Sequence, residues 1–338
     1  MKILVFEYVT GGGMRQEPLP PSLALEGEQM LRALTTDLLD LLGTKLVVFR
    51  DDRLDWVQTG RPDAAVETVY VEADDDFRRL WLCWVDRCDA VWPIAPETDG
   101  ILEGLCRDVA ACGKTLLNSP APAVSLAASK LATARRLEQH GLPVIPTFSL
   151  YPWQDSLAPP FVIKPVDGVG CEGLRVISSS AEIKALLNEP HGGNRIAQPL
   201  LEGESFSLSA LFAQGRARLL SCNRQDVART RGGFHLQGCL VNALADDGGV
   251  WQTLADAIAR AMPELWGYAG IDFILTEAGP VILEINPRLT TSYAGLREAT
   301  GENAAALMLN LLATGELPEP RTSPGKPAEV RLETPHAC

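Results

Sequence analysis

The stretch AGIDFILTEAGPVILEINPR, residues 269–288, constrains this chain more than any other part of it. Two runs rich in aliphatic residues flank a turn, which predicts a hairpin of residues 269–276 and 280–287 centred near Ala278. Side chains alternate across a pleat, so this centring sets Asp272 opposite Glu284. It also sets Phe273 and Leu275 against Leu283 and Val281 on an apolar, core-facing side. Asp272, Glu284 and Asn286 then share the other face. Two carboxylates and an amide oxygen converging there repel one another unless a cation lies between them. Hard oxygen donors of this kind suit Mg²⁺ or Mn²⁺, with phosphate oxygens supplying further ligands. A solvated polar face on an ordinary hairpin carries the same letters, so the rest of the chain has to decide.

Upstream, apolar runs at 2–8, 45–49, 90–94 and 114–118 alternate with helical patterns at 22–42, 77–88 and 102–112. Alternation of this kind reads as a parallel sheet with crossover helices, here residues 1–120. Ser119-Pro120-Ala121-Pro122 marks a boundary. Beyond it come a helix at 125–140, a strand at 161–164, a glycine turn at 168–173, a returning strand at 174–177 and a helix at 181–187. These make a small unit, 121–194. Short strands at 195–201, 205–212 and 216–222, a helix at 250–261, the hairpin and a closing helix at 303–313 make a larger one, 195–318. The polar, basic stretch 229–238 is expected to be a long loop, and residues 319–338, with four prolines, an irregular tail.

The turn FVIKPVDGVGCEGL carries the second signal. Lys164 ends an apolar strand, and Gly168, Gly170 and Gly173 let backbone N–H groups approach phosphate oxygens closely. GxxxxGK[ST] is absent, so this is not a Walker A loop. Lys130 opens a helix, where it points into solvent or reaches back over a phosphate. Gln198, with Pro199, Leu200 and Leu201 after it, can offer amide groups to a purine edge, and Glu202 or Glu204 can meet ribose hydroxyls. The triple glycine at 11–13 lacks dinucleotide spacing, because Gln16 stands where GxGxxG needs glycine. His235 and Cys239, four apart, do not make a zinc site by themselves. A net charge of -13 argues against nucleic acid or an anionic membrane as partner, though a nucleotide needs only a local basic pocket. No apolar run reaches the roughly 20 residues needed to span a bilayer. The opening MKILVFEY goes straight into a strand pattern without a signal peptide, and eight cysteines form no CxxC pair. The expectation is a cytoplasmic protein with reduced thiols that works on small molecules. A homodimer stays open.

Lys130, Lys164 with its glycines, the EGE turn and Asp272…Glu284-x-Asn286 occur in the order found in the ATP-grasp superfamily, which residues 125–315 resemble. The resemblance implies an α/β and α+β protein, an ATP-grasp fold preceded by a Rossmann-like parallel-sheet domain. It implies that Lys130 and Lys164 contact ATP phosphates under the 168–173 loop, and that Gln198, Pro199, Leu200 and Leu201 meet adenine. Glu204 takes the ribose, Asp272, Glu284 and Asn286 carry the metal, and Arg288 faces phosphate. Where D-alanine–D-alanine ligases place an arginine two residues before the metal aspartate, this chain has Gly270, so the cation comes from Arg288, Arg224, Arg229 or Arg231. The segments MKILVFEYVTGGGM, PIAPETDGIL, SCNRQDV and EINPRLTTSYAGLREATG are similar to tyramine–glutamate ligases of methanofuran biosynthesis. That likeness implies ATP-dependent joining of L-glutamate to tyramine, or to tyrosine for a methylofuran-type cofactor, through an acyl phosphate. Glu7 and Glu97, at the ends of strands in the first unit, are candidates to receive the amine or serve as surface acids. Other readings are a lysine-derived or D-amino-acid ligase and a non-catalytic ATP-binding regulator. An NAD-dependent dehydrogenase would need the fingerprint this chain lacks.

Overall fold

The computed structural model describes residues 1–55, 66–151, 153, 159–168, 173–188, 195–230, 233–321 and 323–332. The chain begins with β1 (Lys2–Glu7), α1 (Pro21–Leu39), β2 (Lys45–Asp51), β3 (Val66–Val71), α2 (Phe77–Arg87), β4 (Ala90–Ile94), α3 (Ile101–Ala111) and β5 (Thr115–Leu116). They form a parallel sheet in the order β3-β2-β1-β4-β5. Helices cover both faces, which is why ILVF and LVVF are apolar without alternation. Phe6, Phe49 and Trp81 pack on one face, and Ile3, Val5 and Leu34 on the other. β3 was not expected from the sequence. As an edge strand it alternates buried and solvated residues, VETVYV, in place of a continuous apolar run.

The expected single helix at 125–140 is two, α4 (Ala121–Ala128) and α5 (Lys130–Gln139). Ser129 breaks them with extended backbone, and its side chain accepts a hydrogen bond from Ala132 N, capping α5. A four-stranded antiparallel sheet follows, built from β6 (Phe148–Ser149), β7 (Phe161–Pro165), β8 (Arg175–Ile177) and β9 (Arg195–Pro199) in the order β6-β9-β7-β8. Its own core of Phe161, Ile163, Ile177 and Ala197 is closed by Ile183 and Leu186 of α6 (Ser180–Leu187).

The largest sheet has six strands. β10 (Glu204–Ala213), β11 (Arg216–Thr230), β12 (Gly233–Leu244), β13 (Gly267–Thr276), β14 (Gly279–Asn286) and β15 (Ala328–Arg331) run in the order β14-β13-β10-β11-β12-β15. One face packs on α7 (Val250–Ala261). The other packs on α8 (Tyr293–Thr300) and α9 (Ala304–Thr314), in a core shared with α1 and β1. Two expectations are corrected here. The stretch 229–238 is not a long loop: its described residues belong to the paired strands β11 and β12, with Val227 opposite Leu236 and Arg229 opposite Phe234. Exposed His235 and Gln237 alternate with half-buried Phe234 and Leu236, as a partly solvated strand requires. The expected irregular tail contains β15, whose Ala328 and Val330 are buried against β12. No helix among the described residues is long and apolar enough to cross a membrane.

Candidate active site

The hairpin of β13 and β14 sets Asp272 opposite Glu284, as its alternation predicts. The apolar face differs from expectation. A β-bulge leaves Leu283 without a partner, so Phe273 pairs with Ile282 and Leu275 with Pro280. The bulge releases Leu283 from the core and turns it into a cavity wall.

Glu284 is nearly buried and lies between two lysines. Its Oε2 is 3.2 Å from Lys130 Nζ and 3.5 Å from Lys164 Nζ. The helix cap at Ser129 starts α5 at Lys130, whose ammonium also donates to Gly168 O in the glycine turn. The two cations hold the Glu284 carboxyl below its ordinary pKa despite burial. Burial lowers the pKa of Lys164, Lys130 adds to that, and Glu284 opposes it. Asp272 accepts from Asn286 Nδ2 at 3.0 Å and from Gln225 Nε2 at 2.9 Å. Burial and the neighbouring Glu284 charge raise its pKa. Gln225 was not singled out from the sequence; its only signal is a strand of alternating polarity in SCNRQDV, and its contact with Asp272 is non-local.

Among the described residues no three His, Cys, Asp or Glu side chains converge. The candidate metal set is therefore two carboxylates and the Asn286 amide oxygen, which the Nδ2 bond to Asp272 leaves unused. Hard oxygen donors on adjacent strands, with one carboxyl pushed toward protonation by the other, fit a divalent cation such as Mg²⁺.

A cavity of about 970 Å³ opens between the four-stranded and six-stranded sheets. Lys164, Asp272 and Glu284 lie on its wall, beside a slot of Val162, Ile274 and Leu283. Gln198, Pro199, Leu200 and Leu201 line the same slot, and Glu204 stands at its edge. The Gln198 side chain donates to Thr147 Oγ1 at 3.0 Å, which fixes the amide within the fold. Glu202 is exposed and does not line the cavity. Gly168 and Gly173 both pack on the Pro165 ring; Gly173 has φ +66°, a conformation glycine adopts freely. Gly170 and Arg231 lie outside the described residues.

The arginines separate. Arg224 lines the cavity, 3.7 Å from Asp226, and Arg229 is exposed. Arg288 is buried, contacts the Glu97 carboxylate at 3.1 Å and donates to Leu289 O. Gly270 shares the Asp272 face, and a Cβ there would lie 2.5 Å from Thr290 Cγ2, so Thr290 fills the space a longer side chain would need. Neither expected amine acceptor is idle. Glu7 accepts from Val9 N, Thr10 N and Thr10 Oγ1, which organises its own turn, and burial raises its pKa to about 7. Glu97 is the partner of Arg288.

Comparison with known proteins gives the following likenesses. Residues 127–292 match a family model described as an ATP-grasp domain, and residues 44–124 match one described as a pre ATP-grasp 3 domain. A curated relative, tyramine–L-glutamate ligase of Methanocaldococcus fervens, is 25% identical over 93% of this chain and 95% of its own. A crystal structure assigned to the ATP-grasp superfamily, from Archaeoglobus fulgidus, superposes with a TM-score of 0.68 at 24% identity, covering 92% of this chain and 88% of the other. The biotin carboxylase domain of Hydrogenobacter thermophilus 2-oxoglutarate carboxylase, in complex with magnesium ADP and bicarbonate, superposes with a TM-score of 0.72 at 15% identity, covering 95% and 71%.

Proposed function

The chain belongs to the ATP-grasp family of carboxylate–amine ligases, and from that premise we propose that it joins the carboxylate of L-glutamate to tyramine or tyrosine, in the making of a methanofuran- or methylofuran-type cofactor. The observation that carries the ATP-dependent reading is the Lys130–Glu284–Lys164 triad beside Asp272 and Asn286, of which Lys164, Glu284 and Asp272 line a cavity of about 970 Å³. The substrate pair is supported by the likeness over 93% of the chain to the methanogen ligase.

ATP would lie with its base in the slot of Val162, Leu200, Leu201, Ile274 and Leu283, its ribose toward Glu204 and its phosphates toward Lys164, with Lys130 beside it through Glu284. Asp272, Glu284 and Asn286 would hold Mg²⁺, which supplies positive charge to the phosphate oxygens. A substrate carboxylate oxygen attacks the γ-phosphorus, the bond to the bridging oxygen breaks, and ADP leaves. Lys164 and Lys130 steady the charge gathering on the transferred oxygens. The free amine then attacks the acyl carbon; phosphate leaves, and the nitrogen gives up its extra proton. Arg288, paired with Glu97 and acted on by Asp272, is the arginine available to the acyl intermediate, because Gly270 offers none. Arg224 lines the cavity, 3.7 Å from Asp226, and there can meet an anionic substrate group.

The deciding experiment is ADP release across carboxylate donors crossed with amine acceptors. Release with glutamate plus tyramine or tyrosine is expected. Release only with a lysine-derived or D-amino-acid pair would move the specificity elsewhere, and release with none would end the ligase reading.

A further inference from the structure

The two acids expected to meet the amine are engaged, Glu7 by its own turn and Glu97 by Arg288. A third acid at the same junction, Glu26 in α1, is engaged through one oxygen only. Its Oε1 accepts from Thr291 Oγ1, just after the Arg288 segment, and its Oε2 has no partner among the described residues. The other acids of this helix differ: Glu28 pairs with Arg50, and Asp37 with Tyr293 and Arg297. The helix is pressed onto the end of β1. A Cβ at Gly27 would come within 2.4 Å of Glu7 Oε2, which fixes the neighbouring Glu26 over that strand end. The charge of Glu26 raises the pKa of both Glu7 and Arg288, and Asp272 also raises that of Arg288.

A second oxygen at the junction lacks an aligned donor. Glu97 is 4% exposed; its Oε1 lies 3.1 Å from Arg288 Nε in the ion pair but receives no hydrogen bond, because the Nε–H is directed at Oε2. Glu97 and Glu26 thus both act on a single arginine. The local deficit is of positive charge and of N–H donors, and a primary ammonium group supplies both.

We propose that Glu26 holds the ammonium group of the acceptor amine at this junction, with Glu97 Oε1 as its second acceptor. This assignment rests on the ligase reading and names the residue that reading lacks. It places the nitrogen beside Arg288, where the acyl group is to be attacked.

Glu26→Gln tests it, since the amide oxygen still accepts from Thr291 and only the charge is lost. In assays of amine-dependent ADP release the amine KM should rise about tenfold or more, as loss of a charged hydrogen bond implies, with the MgATP KM unchanged. Thr291→Val removes the tether and keeps the charge, so its amine KM should rise less. An unchanged amine KM in Glu26→Gln overturns the proposal. Equal rises in both variants also overturn it, by assigning the effect to the seating of α1. If Glu26→Gln does not fold, Glu26→Asp keeps the charge on a shorter arm: a rise in amine KM alone supports the proposal, and equal rises for amine and MgATP overturn it. Failure of the ligase reading looks different, because the unaltered protein would then release no ADP with any pair.

Discussion

At position 270 an added methyl group has no room, because Thr290 Cγ2 lies 2.5 Å from where it would go. Gly270→Ala should therefore destabilise by about 1–3 kcal/mol, the usual range for overpacking a filled site. Thr290→Ser removes the offending methyl, so the double variant should recover most of the loss in urea unfolding; additive losses would refute the contact. Glu7 gives a pH test at the same scale. Its folded pKa of about 7 lies above the ordinary carboxylate value. Its contribution to stability is therefore fully present below about pH 4.5 and is lost as pH rises through 7, by at most about 3 kcal/mol. Relative to Glu7→Gln, the unaltered protein should lose stability between pH 5 and pH 8, and parallel curves would show that the carboxyl is not strained. The Asp272–Glu284 pairing is legible in the sequence because a period of two and one turn fix it. Gln225, Thr290 and Glu26 are not, because each acquires meaning from a residue at least twenty positions away.

Elements were readable where one local rule governs them. Helix α7 runs over Val250–Ala261, as its apolar spacing predicts. The failures share a cause, which is competition between signals. Apolar spacing continues through Ser129, yet the cap it makes to Ala132 N splits the helix and puts Lys130 in the first turn of α5. Ser129→Ala should cost about 1 kcal/mol and loosen nucleotide binding, while Ser129→Asp should restore both. Thermal unfolding with calorimetry of MgADP binding checks it; a cap loss that left affinity unchanged would separate the helix start from the phosphate site. The second half of β11, and strands β12 and β15, are hidden differently. Arg229, His235 and Glu329 face outward on half-solvated strands, and polarity of that kind looks like a loop until the pairing of Val227 with Leu236 and of Cys239 with Val330 is seen.

Across the molecule the cores divide unevenly. Ile3, Val5 and Leu34 of the first sheet and its helix share one apolar core with Tyr268, Leu296 and Met308 beyond the six-stranded sheet. Among the described residues the four-stranded sheet shares no core with them; Phe161, Ile163, Ile177 and Ala197 close on their own. Several of its ties to the remainder are polar. Thr98 Oγ1 donates to Asp167 O at 3.1 Å, Lys130 N to Val166 O at 3.1 Å, and Lys164 reaches Glu284. A shared apolar core resists separation more than a few polar ties do, so this sheet is expected to open over the cavity before the first sheet leaves the six-stranded one. A nucleotide held between Lys164 on one side and Asp272 and Glu284 on the other should fasten it. At a hundredfold excess over its Kd, a ligand that binds only the closed form contributes about 2.7 kcal/mol, or roughly a hundredfold slowing of exchange for amides that exchange by that opening. Hydrogen exchange with a non-hydrolysable MgATP analogue should therefore slow in β7 and β9 and stay unchanged in β1 and β2. Equal slowing in all four strands would mean that the molecule breathes as one body, and no slowing in β7 would remove Lys164 from the nucleotide.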